Sequence, residues 1–193
     1  MAELPNDLPV RPFKSAEAFE KWLEKNALAP GLWLKIARKD SGIASLTYAQ
    51  ALDVALCHGW IDGLRKSFDE RFFLQRFTQR KKRSLWSKNN VAHAERLIEA
   101  GRMREGGHRE IEAARADGRW DAAYHGPSKM EVPPELAAAL AKNRKAKAFF
   151  EKLDKTNRYA FCWRVHSAVK METKIARARK LVAMLARAEK IHH

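Results

Sequence analysis

The sequence predicts an α+β fold: a small N-terminal antiparallel sheet with helices on one face, followed by an all-helical C-terminal region. Apolar and polar residues alternate in Gly31–Lys39, Trp60–Ser67 and Arg71–Arg80, which is typical of half-buried strands. After Arg80 the apolar residues recur every three to four positions, which is typical of amphipathic helices. We therefore place an α+β sheet domain at residues 1–83 and a helical region at residues 84–193, packed together as one globular unit.

The elements of the first half begin and end at recognisable residues. A first helix is expected over residues 15–28, with Ser15 as its cap, because a side-chain hydroxyl can accept from a free N–H group of the first turn. A second helix is expected to start at Ser45 or Thr47 and to end near His58, where the glycine that follows is a natural stop. The two strands after it should form a hairpin, and the helices should cover one face of the sheet.

The second half reads as a series of helices. They are expected at about residues 90–100, 107–116, from Pro133-Pro134 onward, 144–152, 157–169 and 171–190. The last helix is basic and amphipathic, with Ile175, Val182 and Leu185 on one face and Lys174 and Lys180 on another. Such a helix either closes a bundle core or lies on a membrane or nucleic acid. Its aliphatic face lacks an aromatic wedge, which favours the bundle core.

The apolar periodicity also predicts which side chains form the core. The expected buried residues are Phe19, Trp22, Leu34, Leu52, Leu56, Phe73, Leu97, Ile98, Phe149, Trp163, Val182 and Leu185. The two cysteines, Cys57 and Cys162, lie in apolar stretches without CxxC spacing, so we expect buried free thiols.

The chain is strongly basic, with a formal net charge of +15. The excess is uneven, since residues 1–80 carry a net charge of +2 and residues 81–193 carry +13. A field of this sign attracts nucleic acid and other polyanions, although it also increases solubility.

The N-terminal stretch has neither a basic nor an apolar region of the kind found in signal peptides, and no apolar run is long enough to span a bilayer. We therefore expect a cytoplasmic location.

The sequence contains none of the common cofactor or catalytic motifs. There is no GxxxxGK[ST], GxGxxG, GxSxG or HExxH segment, the histidines are scattered, and the acidic residues are few and dispersed. We therefore expect no cofactor and no metal site, and the sequence offers no complete catalytic centre.

Three blocks of the sequence carry a family resemblance. They are ALDVALCHGWIDGLRKSFDERFFLQRFTQRKKRSLWSKNNVAHAERLIEAGRM, EAARADGRWDAAY and NRYAFCWRVHSAVKMETKIARARKLVAML. In this order they resemble the YdeI/OmpD-associated, or bacteriocin-protection, family over about residues 12–190. The resemblance implies a role in bacteriocin protection or stress, or association with an outer-membrane porin, and it implies no defined molecular activity. Association with a porin would require export, and the chain shows no export signal.

The first candidate site lies at the junction of the second helix and the following strand. His58, Trp60 and Asp62 stand in the segment CHGWIDG, whose two glycines permit a tight backbone. A histidine near a carboxylate is the start of an acid–base pair. A histidine at a helix end is also stabilised by the helix dipole without any chemistry.

The second candidate site is the segment RFTQRKKRSLWSKNN, which holds six cations and two aromatic residues within fifteen positions. Arginine and lysine bind phosphate, aromatic rings stack on bases, and the segment ends at an expected helix N-terminus. Alternatively, it is a solvated linker that Trp86 anchors to the core. The residues expected to bind a ligand across both sites are His58, Trp60, Asp62, Arg76, Arg80, Lys82, Arg83, Trp86 and Lys88.

Two hypotheses of function follow. In the first, the protein binds an anionic ligand or nucleic acid on this basic surface. In the second, it is a small enzyme that uses His58 and Asp62 as an acid–base pair in a junction pocket. A clustered His58–Asp62 pair would favour the enzyme, and an open basic surface would favour binding.

Overall fold

The computed structural model describes residues 5–126 and 130–192. The chain forms two compact units, Met1–Ala123 and Tyr124–His193. The boundary expected after residue 83 falls inside the first unit, because the helices that follow that residue share a core with the helix before the hairpin.

Four strands form one mixed sheet: β1 Val10–Pro12, β2 Leu32–Ala37, β3 Trp60–Ser67 and β4 Phe72–Gln79, in the order β1-β2-β4-β3. β4 pairs antiparallel with both of its neighbours, whereas β1 runs parallel to β2 with Val10 opposite Trp33. The prediction of a purely antiparallel sheet is therefore wrong at this edge. β1 is too short to show alternation and it ends in a proline, which is tolerated at a sheet edge. Every strand among the described residues ends before residue 80, as predicted.

The helices of the first unit are α1 Ala16–Lys25, α2 Tyr48–Cys57, α3 Lys88–Glu99 and α4 Glu105–Ala116. Three of them begin at a hydroxyl cap, and the caps of α1 and α2 are among those that the sequence predicts. The Ser15 and Ser87 hydroxyls accept from N–H groups of α1 and α3. At α2 the cap is Thr47, and the Gln50 side chain accepts from the Thr47 N–H group in return, which completes a capping box.

The first unit has two apolar clusters that share α2. In one, Phe19 of α1 and Ala55 of α2 pack against Leu34, Ile36 and Phe77 of the sheet. This arrangement places α1 and α2 on a single face of the sheet, because those strand residues lie on the same side of the pleat.

The second cluster lies on the opposite side of α2. There Leu56 packs with Leu97 of α3, Ile111 of α4 and the indole rings of Trp86 and Trp120. Helix α2 thus joins the sheet to α3 and α4, which is why the first unit extends to Ala123.

The N-terminus of α4 abuts the C-terminus of α2. The Arg104 N–H group donates to the Cys57 carbonyl at 3.1 Å. A Cβ atom at Gly106 would lie 2.6 Å from the His58 carbonyl oxygen, and one at Gly107 would lie 2.5 Å from the Cys57 oxygen. Only glycine fits this approach. The positive end of one helix dipole there meets the negative end of the other.

The second unit is a helical bundle made of α5 Pro134–Ala141, α6 Arg144–Glu151, α7 Lys155–His166 and α8 Met171–Ala186. Leu136, Phe161, Val182 and Leu185 are among its buried core residues. The aliphatic face of the last helix therefore closes a bundle core, as its composition favours, although Ile175 is 40% exposed.

Most of the predicted core is buried. The exceptions are Trp22, Ile98, Phe149 and Trp163, which are half-buried at the edges of the clusters. Both cysteines are buried free thiols, as expected. No helix within the described ranges is both long and apolar enough to cross a membrane.

Candidate functional site

His58 forms the C-terminal cap of α2, and its carboxylate neighbour is Glu20 of α1. The His58 Nε2 atom lies 3.6 Å from Glu20 Oε1, which also accepts from Arg104 Nη2 at 2.9 Å. Burial disfavours the ionised carboxyl of Glu20. The hydrogen bond and charge of Arg104, aided by His58, outweigh that cost and hold the pKa of Glu20 below its usual range. His58 thus lies beside the Arg104–Glu20 ion pair, which ties α1 to the start of α4.

Asp62 has a different partner. Its Oδ2 atom accepts from the Tyr48 hydroxyl at 2.8 Å, which links β3 to the first turn of α2. Burial and the neighbouring Asp62 charge raise the pKa of Tyr48. Across the described part of the chain, no hydrogen bond or ion pair joins Asp62 to His58. The His58–Asp62 pair considered from the sequence is therefore not formed in this structure.

Trp60 lies in the core rather than on a ligand surface. Its side chain is 2% exposed and packs edge-on against Trp22, with 6.0 Å between ring centroids. A ring buried in this way has no face for a ligand to stack on.

Arg76 lies on β4 and is held by the N-terminal segment. Its Nη2 atom is 3.1 Å from Asp7 Oδ2, and the other oxygen of Asp7 accepts from Trp33 Nε1 at 2.9 Å. The Trp33 hydrogen bond is the largest cause that keeps the pKa of Asp7 below its usual value, with the Arg76 charge contributing in the same direction. Arg76 therefore already has an acidic partner within the chain.

Residues 80–87 form a loop between β4 and α3, and this loop together with Lys88, the first residue of α3, is here called the basic loop. The Cζ atom of Arg80 lies 3.5 Å from the centroid of the Trp86 ring, and both side chains are buried. Arg80 Nη1 also donates to the Leu85 carbonyl at 3.4 Å, and Trp86 packs against Trp120 with 4.8 Å between ring centroids. These two predicted ligand residues form the scaffold of the loop. They are not its outer surface.

The outer surface of the basic loop is cationic. Lys81, Lys82 and Arg83 are exposed in a turn, and Lys88 is exposed in the first turn of α3. The turn is held at Ser84, whose N–H group donates to the Lys81 carbonyl at 2.8 Å and whose hydroxyl accepts from the Lys81 N–H group at 3.1 Å.

A second element fixes the same turn from outside the loop. Arg119 Nη1 donates to the Ser84 carbonyl at 2.9 Å, and Asp117 orients that arginine through an ion pair of 2.7 Å. The loop is therefore rigid although four of its side chains face solvent.

The closest histidine–carboxylate pair was not among the residues predicted from the sequence. His93 Nδ1 lies 2.9 Å from Asp53 Oδ1, and Arg96 Nη2 donates to both oxygens of Asp53 at 2.7 Å. Burial opposes ionisation of Asp53, but Arg96 and His93 keep its pKa below the usual value. The three residues clamp α3 onto α2. In the sequence, the spacing of His93 and Arg96, one helical turn apart, could have indicated that both contact the same acidic residue.

The remaining reactive groups offer little chemistry. Burial raises the pKa of the Cys57 thiol to about 11, so almost none of it is thiolate at neutral pH. Among the residues that the structure describes, no three His, Cys, Asp or Glu side chains come together as a metal site would require.

The fold and this surface define an α+β protein that displays a rigid basic loop. Its family is shown by the comparisons: the chain belongs to the family described as Domain of unknown function (DUF8412), whose model matches residues 11–110. A second family model, described as Bacteriocin-protection, YdeI or OmpD-Associated, matches residues 129–188. No curated protein and no solved structure matched the chain.

The three sequence blocks that resemble the bacteriocin-protection family fall differently with respect to these two matches. The C-terminal block, residues 157–185, lies in the bacteriocin-protection match, which confirms that assignment. The long first block, residues 51–103, lies in the other match, and the block 112–124 lies outside both.

Proposed function

We propose that this protein acts in a process related to bacteriocin protection by binding an anionic ligand on the basic loop. The observation that carries the proposal is the display of Lys81, Lys82, Arg83 and Lys88 on a loop whose backbone is fixed from inside and outside. The role in protection comes from the family that matches the second unit.

Rigidity matters because binding by a mobile loop loses free energy to ordering. Each immobilised long side chain costs about 0.5–1.5 kcal/mol on binding, and an ordered backbone avoids adding to that cost. Here the Arg80–Trp86 stack and the Arg119–Ser84 hydrogen bond hold the backbone before a ligand arrives. The exposed ammonium and guanidinium groups can then bind phosphate or sulfate oxygens.

The proposal uses a smaller set of ligand contacts than the sequence suggested. Trp60, Arg80 and Trp86 are buried, so their part is structural. Lys82, Arg83 and Lys88 remain as direct contacts, and Lys81 joins them because of its exposure. The hypothesis of an enzyme based on His58 and Asp62 is not carried further, since Glu20 and Tyr48 are their observed partners.

The test is a titration of the whole protein with single-stranded DNA and with heparin at two salt concentrations. Contact through several charges must weaken steeply as salt rises, because bound counterions are released. The variant Lys82→Gln/Arg83→Gln should lose about tenfold in affinity or more at low salt. Its control is Lys14→Gln/Lys39→Gln, which removes two exposed cations of the same unit elsewhere and should change affinity less than about twofold.

Equal losses in both variants would show that only net charge matters, and the proposed site would be rejected. Absence of binding to either polyanion at low salt would reject anion binding by this loop.

A further inference from the structure

The second unit contains a groove between α7 and α8 that combines basic, aromatic and apolar side chains. It encloses about 510 Å³, and Trp163, Arg164, Ser167, Arg177, Lys180 and Met184 line it. Its size lies within the range of about 300–1,000 Å³ that is common for small-molecule sites. No carboxylate is among the described residues that line it.

Three cations face this groove from two helices. Arg164 stands on α7, whereas Arg177 and Lys180 stand one turn apart on α8, and all three are exposed. They are part of a unit with 16 Lys+Arg and 6 Asp+Glu in residues 124–193. Such a field attracts anions, and the missing carboxylates leave the three cations available to one.

Arg177 is already oriented. Its Nη1 atom donates to the Arg164 carbonyl at 2.8 Å and to the Ser167 hydroxyl at 3.2 Å. These bonds fix the plane of the guanidinium, and no contact within the described ranges uses its Nε or Nη2 atoms. A planar fork held in this way suits a phosphate group, which accepts two parallel N–H bonds.

The other wall of the groove is aromatic and apolar. Trp163 is half-buried and stacks nearly parallel to Tyr159, with 6.2 Å between ring centroids and an interplanar angle of 14°. Tyr124 and His166 also pack against it, with 4.3 Å and 5.9 Å between ring centroids, so the groove meets only the part of the ring that these neighbours leave uncovered. Leu181 and Met184 complete the apolar surface beside it. A flat heterocycle is the group that gains most from such a wall, because aromatic and apolar side chains bind its π face.

We propose that this groove binds a free nucleotide, with its phosphates on Arg164, Arg177 and Lys180 and its base against the uncovered part of Trp163 and Met184. This site is separate from the basic loop of the first unit and does not depend on the function proposed for that loop. A nucleotide carries anionic phosphates, which match the cationic wall of the groove, and a flat aromatic base, which matches the aromatic and apolar wall.

The experiment is isothermal titration of the whole protein with ATP, with adenosine, with inorganic tripolyphosphate and with a short oligo(dT). ATP should bind with measurable affinity, and adenosine and tripolyphosphate should each bind at least about tenfold more weakly, since each occupies one wall. The variant Arg164→Gln/Lys180→Gln should weaken ATP binding about tenfold or more.

A control separates this site from net charge. Lys145→Gln/Lys152→Gln removes two exposed cations of the same unit outside the groove. It should leave ATP affinity within about twofold.

The proposal is wrong if ATP does not bind, if tripolyphosphate binds as tightly as ATP, or if the Lys145/Lys152 control weakens ATP as much as the groove variant. It is also wrong if only the oligonucleotide binds. If the unchanged protein binds neither single-stranded DNA nor heparin at low salt but does bind ATP, the anion-binding proposal for the basic loop is rejected and this one is supported.

Discussion

The guanidinium of Arg80 lies over the ring of Trp86 with 3.5 Å between Cζ and the ring centroid, and both side chains are buried. The cation–π contact is made away from water, where such contacts are strongest. This contact holds the basic loop in place, and the other cations of the loop, Lys81, Lys82 and Arg83, are exposed to solvent.

Removal of the Trp86 ring should destabilise the folded protein. We expect Trp86→Ala to lower the free energy of unfolding by about 3–5 kcal/mol, because a large buried ring is replaced by a cavity. Denaturant unfolding measures this loss. Lys82→Ala, which changes an exposed side chain of the same loop, should stay within about 0.5 kcal/mol, and a comparable loss there would contradict the division into scaffold and surface.

Gly107 should not tolerate a methyl group. Alanine usually stabilises a helix relative to glycine by about 1 kcal/mol. Here a Cβ atom would lie 2.5 Å from the Cys57 oxygen and 2.7 Å from the Leu56 oxygen, both of them backbone atoms. We expect Gly107→Ala to cost about 1–3 kcal/mol in thermal or denaturant unfolding. Gly63→Ala is the control, since its nearest contact would be an ordinary 3.7 Å, and a stabilised Gly107→Ala protein would refute the close approach.

Leu56 joins α2 to α3 and α4 and is 2% exposed. Leu56→Ala should cost about 2–5 kcal/mol in denaturant unfolding, from lost burial and the cavity left behind. Leu64 is 63% exposed, so Leu64→Ala should change stability by no more than about 0.5 kcal/mol. A loss below about 1 kcal/mol for Leu56→Ala would mean that the observed helix face is wrong.

Asp53 should make stability depend on pH in the acid range. Its folded pKa lies below the ordinary value of 3.8, so its contribution is present above that value and is lost as pH falls through the folded pKa. We expect Asp53→Asn to cost about 1–3 kcal/mol at pH 7 through loss of the Arg96 and His93 contacts. The difference from the unchanged protein should shrink as pH falls below 3.8, through the folded pKa of Asp53. Asp121→Asn, which changes an exposed carboxylate of the same unit, is the control for the change of charge at pH 7.

The Tyr48–Asp62 hydrogen bond should be visible in tyrosine titration. Burial and the Asp62 charge raise the pKa of Tyr48, so Asp62→Asn should lower that pKa by removing the charge. Ultraviolet difference titration follows the phenol, and Tyr48→Phe identifies its signal among the three tyrosines. An unchanged Tyr48 titration in Asp62→Asn would exclude the hydrogen bond seen between the two side chains.

The sequence by itself determined the elements that depend on local pattern. Apolar periodicity located the eight helices found among the described residues and the strands β2, β3 and β4, because facing the core requires a fixed spacing along each element. Hydroxyl caps such as Ser15 and Thr47 were readable for the same reason, since their hydrogen bonds span only three residues. The basic charge was likewise plain, because it needs no partner to be counted.

Tertiary structure alone decided which distant residues meet. Three contacts join segments that are far apart in the chain. β1 pairs parallel with β2, and Glu20 lies next to His58. Helix α4 packs closely on α2 at Gly106 and Gly107. It also decided that Arg80 is buried while Lys82 is exposed, although both lie in one basic run. The physical reason is that burial of a charged side chain costs free energy unless other groups compensate its charge. For Arg80 these groups include the Trp86 ring and the Leu85 carbonyl, and only the folded chain brings them to it.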